Sequence, residues 1–166
     1  MMNVRKIHRG LSWVIGGPLF VILFTGVLIQ YKDQIPAMQP EKIPSTNLDT
    51  ALQKNWSIES LVEIAKRQHP ELVKVPEDIR VIDIRPNLGT ARLRTSNYFE
   101  IQIDLSSGQI LKTAPRYVGW MISLHEGALL GSGFRFGFWA PIGVLSLFLA
   151  LSGFLLLVRK GRRRYE

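Results

Sequence analysis

Two of the three histidines in this 166-residue chain sit beside long apolar runs. His8 lies in His8-Arg9-Gly10-Leu11 and His125 in Leu124-His125-Glu126-Gly127. A neutral imidazole at a membrane edge suits axial ligation of haem iron, and a neighbouring glycine lets a flat macrocycle approach a helix. Arg5 and Arg9 near His8, and Arg116 and Arg135 toward His125, have the charge to pair with haem propionates. Those six residues are the candidate cofactor site, with haem b as the cofactor and His8 and His125 as the iron ligands. The competing reading makes both histidines ordinary interfacial polar residues. His69 differs, because it precedes Pro70 in a polar stretch and reads as the exposed last residue of a helix.

Other chemistries find little support. The absence of cysteine excludes disulfides, thiolate metal sites and a cysteine nucleophile. There is no phosphate-binding glycine loop, no HExxH and no nucleophile elbow. The acids of the middle region alternate with bases and read as solvated surface, so catalytic residues are not assigned.

The elements that must position the histidines are the apolar runs. Leu11 to Ile29 and Phe136 to Val158 contain no charged residue, and each is about as long as the 20 residues a bilayer crossing needs. The first follows Arg5, Lys6 and Arg9; Arg159-Lys160-Gly161-Arg162-Arg163-Arg164 closes the second. The first exceeds the usual signal-peptide core and lacks a good small-x-small site after it, so it reads as an uncleaved anchor. The net charge of +8 resides at these edges: Tyr31 to Tyr117 holds 12 Lys/Arg against 11 Asp/Glu. Positive-inside topology explains that distribution better than nucleic-acid binding. It places both termini in the cytoplasm and the middle region outside, which is the periplasm in a bacterial inner membrane.

The expected organisation is a basic arm (1–10), a first transmembrane helix (11–30) and a proline-broken connector (31–55). A folded domain (56–114), an interfacial helix carrying His125 (115–133), a second transmembrane helix (134–158) and a basic tail (159–166) follow. In the domain, Ser57 is a suitable N-cap, and Ile58, Leu61, Val62 and Ala65 recur at helical spacing. Arg80–Arg85, Thr90–Arg94, Tyr98–Leu105 and Gln109–Thr113 read as strands separated by turns. Tyr98 to Leu105 alternates apolar and polar residues, predicting one buried and one wet sheet face. The fold class is therefore a membrane α+β protein: two transmembrane helices flank one helix laid on about four antiparallel strands. Val118 to Leu130 reads as an interfacial helix with Trp120 as its belt residue, separated from the second span by Gly131-Ser132-Gly133. His8 and His125 then lie at opposite membrane edges. Bis-histidine ligation at either edge requires a second chain, such as a twofold dimer.

Arg5-Lys6-Ile7-His8-Arg9-Gly10-Leu11 leading to Thr25-Gly26-Val27-Leu28 resembles the first helix of the PepSY-associated transmembrane family. Ser123-Leu124-His125-Glu126-Gly127, Gly131 and Leu151-Ser152-Gly153-Phe154 strengthen the likeness. The middle, ending in Ile103-Asp104-Leu105-Ser106-Ser107-Gly108-Gln109-Ile110, resembles a PepSY domain. The resemblance implies an inner-membrane protein linked to iron or siderophore uptake. Larger relatives are thought to be haem reductases passing electrons to ferric siderophores, and the positions matching His8 and His125 are their candidate ligands. Those relatives usually carry four spans, whereas this chain has two, so it resembles a half-sized unit. The implied partners are the lipid bilayer, a second copy or larger membrane complex, and a periplasmic ferric-siderophore or protein acceptor. The alternative is a non-catalytic membrane-anchored PepSY interaction module or accessory subunit. Restraint of a peptidase is a third reading, resting on family analogy.

Overall fold

A computed structural model describes residues 4–162, with backbone alone for Val4 and for 159–162. Residues 1–3 of the basic arm and 163–166 of the basic tail lie outside the described residues. Two compact units divide the chain: one joins the chain up to Tyr31 with the chain from Met121, and the other is Lys32–Trp120.

The first unit is helical. Helix α1 (Val4–Gln30) is continuous through Pro18. Its partner is built from α5 (Ser132–Phe134), a π turn (Arg135–Trp139) and α6 (Ala140–Arg162). Pro141 lacks the N–H that would close a bond to the Gly137 carbonyl, which accords with the widened turn just before it. The stretches Arg5–Gln30 and Ser132–Val158 are long and apolar enough to cross a bilayer, and only 11% and 6% of their most apolar windows are buried. A core helix of a soluble protein would be mostly buried. Here Phe20, Phe24, Phe148, Leu151 and Phe154 stand exposed, as side chains do when lipid is their solvent. Ile15, Thr25 and Ile142 are buried. His8 meets Ser152 while His125, whose carbonyl binds Trp139, meets Thr25, so the two long helices run antiparallel.

The second unit is a helix on a four-stranded antiparallel meander. Strands β1 (Ile79–Arg85), β2 (Thr90–Thr95), β3 (Phe99–Asp104) and β4 (Ile110–Pro115) lie in the order β1-β2-β3-β4. Helix α3 (Ile58–Gln68) starts at Ser57, whose side chain accepts from the Ser60 N–H, and stops at His69 ahead of Pro70. Its apolar stripe, Leu61 and Ala65, packs on Leu93, Ile101 and Ile103 with Val73 and Ala91. Burial of such side chains supplies about 1.5–3 kcal/mol each before entropy is counted. Trp56 donates its indole N–H to the Leu105 carbonyl at 2.7 Å and fills the space above Gly108, whose φ of +82° a side chain would strain.

The other sheet face is not wet. Glu100, Gln102 and Asp104 are 1%, 1% and 0% exposed. The proline-rich segment read as a connector covers part of that face. Gln102 donates to the Glu41 carbonyl at 2.7 Å and accepts from the Ile43 N–H at 3.2 Å. Ser45 and Thr46 donate their hydroxyls to Asp104. The segment belongs to the sheet unit and adds a short helix α2 (Leu48–Gln53), capped by Asn47. The acids expected to be solvated surface thus include a buried set. Burial disfavours ionisation of Asp104, but the Ser45 hydroxyl, the Ser106 N–H and the Thr46 hydroxyl outweigh it and hold the carboxyl well below the usual range.

Helix α4 (Tyr117–His125) is shorter than expected. It ends at His125 because Gly127 takes φ +69° and reverses the chain; Ala128–Leu130 then forms a separate 3-10 turn.

Candidate functional site

His8 stands one turn into α1 and turns toward α6. Its Nδ1 lies 2.8 Å from Ser152 Oγ. Ser152 donates its own hydroxyl to the Leu149 carbonyl at 3.0 Å, so its oxygen faces His8 as an acceptor. His8 Nδ1 therefore carries the proton. The ring rests on Gly153: a Cβ there would lie 3.3 Å from His8 Cε1. An open cavity of about 540 Å³ beside it is lined by Arg5, His8, Gly153, Leu156 and Leu157.

His125, the last residue of α4, makes a matching contact with α1. Its Nδ1 lies 3.0 Å from Thr25 Oγ1 and 3.0 Å from the Ile22 carbonyl on α1. A carbonyl only accepts, and Thr25 donates its hydroxyl to the Val21 carbonyl at 2.6 Å. The proton is again on Nδ1. The ring rests on Gly26, where a Cβ would approach His125 Cε1 to 3.3 Å. The backbone is fixed as well: Trp139 donates its indole N–H to the His125 carbonyl at 2.8 Å, and its ring fills the space a Gly127 side chain would occupy.

In the neutral Nδ1–H tautomer each imidazole has its lone pair on Nε2, and neither Nε2 makes a hydrogen bond among the described residues. A nitrogen so prepared can bind a metal, and a partner on the other nitrogen sets its orientation and basicity. His69 contrasts with both. It uses both ring nitrogens, Nδ1 on Glu71 and Nε2 on Thr113, each at 2.8 Å, and ties the end of α3 to β4. Eighteen residues of α1 separate His8 from Gly26, about 27 Å at 1.5 Å per residue.

The four arginines take different places. Arg5 lines the cavity beside His8. Arg9 is exposed, and its side chain makes no hydrogen bond or ion pair with the described residues. Arg135 pairs with Glu126 at 2.8 Å, next to His125 in sequence. Arg116 belongs to the sheet unit, where its Nε lies 3.3 Å from Glu100 Oε2. Among the described residues no group of three or more His, Cys, Asp or Glu side chains gathers as a metal site. An axial site asks less of the protein, since one imidazole supplies one ligand.

The family model described as the PepSY-associated TM region matches residues 5–165. The chain belongs to the PepSY-associated TM family. No curated protein and no solved structure gives a significant match.

In this PepSY-associated chain both histidines stand out by residue type, whereas the groups that hold them do not. Thr25-Gly26 on α1 and Ser152-Gly153 on α6 are hydroxyl–glycine pairs; the first receives His125 from α4 and the second His8 from α1. Their repetition was the available signal. The glycines next to the histidines in sequence do other work. Gly127 makes the reversal, and a Cβ on Gly10 would meet nothing within 4 Å.

Proposed function

We propose that this PepSY-associated membrane protein is a haem b-binding component of transmembrane electron transfer, with His8 and His125 as axial ligands at the two membrane edges. The observation that carries the reading is the shared state of the two rings: Nδ1 bonded to a hydroxyl oxygen, Nε2 unbonded. The residues present fit the group. Each edge offers one prepared nitrogen and a close glycine, and the His8 edge adds a cavity with Leu156, Leu157 and Arg5 along it. Arg5 is suited to hold a propionate there. Bound haem would supply a one-electron couple whose potential the axial imidazole tunes.

Each edge would supply one imidazole nitrogen to the group, and a second copy of the chain is the simplest donor of another. The basic flanks favour an inner-membrane orientation with both termini cytoplasmic and Lys32–Trp120 periplasmic. In that orientation electrons would pass outward toward a ferric-siderophore or protein acceptor, and the protein would act as a reductase or its subunit in iron uptake. Haem quantified per chain after purification from haem-replete membranes tests the reading; loss on His8→Ala and on His125→Ala supports it. A membrane-anchored interaction module is the second reading, favoured by the open edge strand β1 with Val81 and Ile84 exposed.

A further inference from the structure

The covered face of the sheet holds more positive charge than its own acids can balance. Asp83 receives Arg85 at 2.8 Å, Arg92 at 3.1 Å and Arg94 at 3.0 Å. Glu100 receives Arg92 at 3.3 Å, Arg94 at 3.7 Å and Arg116 at 3.3 Å. Four guanidiniums therefore share two carboxylates, and two positive charges lack a counter-charge within the cluster. The centre of the cluster is buried: the side chains of Glu100, Arg92 and Arg116 are 1%, 5% and 12% exposed, while Arg94 and Arg85 at its rim are 27% and 43% exposed. Like charges at this depth repel strongly unless they are compensated.

The cluster is also under-bonded. The buried Nε atoms of Arg92, Arg94 and Arg116, and Oε2 of Glu100, have no hydrogen-bond partner among the described residues. Buried polar atoms are usually satisfied, so four orphans in one cluster call for a missing partner. Arg116 makes no hydrogen bond through either Nη among the described residues. Burial, and then the neighbouring Arg94, push its guanidinium below the usual arginine range against the pull of Glu100.

The backbone around Arg116 is held at a strained point. Its N–H donates to the Tyr98 carbonyl at 2.6 Å, and Tyr98 is the one described non-glycine residue with positive φ, +62°. A Cβ on Gly119 would lie 3.1 Å from the Tyr98 ring and 3.4 Å from Arg116 Nη1. A bulkier residue at 119 would crowd both. Strain of this kind persists where surrounding structure enforces it, often at ligand sites.

We infer that the Arg92–Arg94–Arg116 cluster binds a dianionic phosphate group, with Arg116 as its principal contact. A guanidinium fork matches phosphate oxygens in geometry and charge, and a dianion supplies the two missing negative charges. The group can be free phosphate or the phosphomonoester of a lipid headgroup, and the inference does not depend on haem.

The test is calorimetric titration of the full-length protein in detergent with inorganic phosphate at fixed ionic strength, with chloride as control. A parallel arm places the protein in nanodiscs of phosphatidylcholine with or without phosphatidic acid, read by the thermal midpoint. Arg116→Gln should weaken binding about tenfold or more, as loss of a charge-assisted contact does. Glu100→Gln removes a competing carboxylate, so phosphate should raise the midpoint of that variant more than that of the unaltered protein. A merely structural role for the cluster predicts no such enhancement. Response to phosphate in detergent identifies a free anion; response to phosphatidic acid alone identifies a headgroup. Silence in both arms, or equal response after Arg116→Gln, overturns the inference.

Discussion

Thr25 Oγ1 and His125 Nδ1 stand 3.0 Å apart, and the direction of that bond is fixed by their neighbours. The Thr25 proton goes to Val21, and the Ile22 carbonyl can only accept. His125 must donate, which leaves Nε2 as the basic nitrogen. Ser152 and His8 obey the same logic on the opposite helix. The Ser152 hydroxyl at His8, and the Thr25 hydroxyl together with the Ile22 carbonyl at His125, thus select the tautomer.

Removing a selector should loosen its imidazole without deleting it. Thr25→Val and Ser152→Ala are each expected to weaken haem retention by about 10- to 100-fold at their own edge, the usual cost of losing a partner to a ligating histidine. Haem titration of each purified variant measures this. Retention equal to the unaltered protein in both would separate the hydroxyls from ligation.

Gly127→Ala should disturb His125 and spare His8. The left-handed conformation disfavours alanine by about 1–2 kcal/mol, and a Cβ would collide with the Trp139 ring that holds the turn. Haem dependent on His125 should fall while the His8-dependent fraction persists. Loss of both fractions together would mean that the two edges fold as one.

Asp104 should make the protein acid-sensitive. Its folded carboxyl ionises well below the ordinary value of about 4. Its contribution is therefore complete above that value and is lost as pH falls through the lower folded one. Asp104→Asn should lower stability near neutrality by about 2 kcal/mol and flatten the dependence below pH about 4. Tryptophan-monitored melts of the full chain from pH 3 to 7 measure both. Parallel profiles for the two proteins would contradict the assignment.

The spans were legible because twenty uncharged residues admit few alternatives. The meander was legible because Tyr98 to Leu105 alternates and Gly108 marks its turn. Its second face was misread for the same reason: alternation places Glu100, Gln102 and Asp104 opposite the core but does not say what lies above them. Their cover comes from Glu41, Ile43, Ser45 and Thr46, about sixty residues earlier, in a segment whose prolines looked like a linker. At the candidate site, residue type exposed the histidines. Their partners stayed hidden because Thr25 and Ser152 lie a hundred or more residues away, and small residues in apolar helices are common for packing alone.

The most direct test is a reduced-minus-oxidised absorption spectrum of the protein purified from haem-replete membranes. Haem ligated at both edges predicts a Soret band and an α band of b-type haem, with His8→Ala and His125→Ala each removing part of the signal. A correctly folded protein with neither band would contradict it.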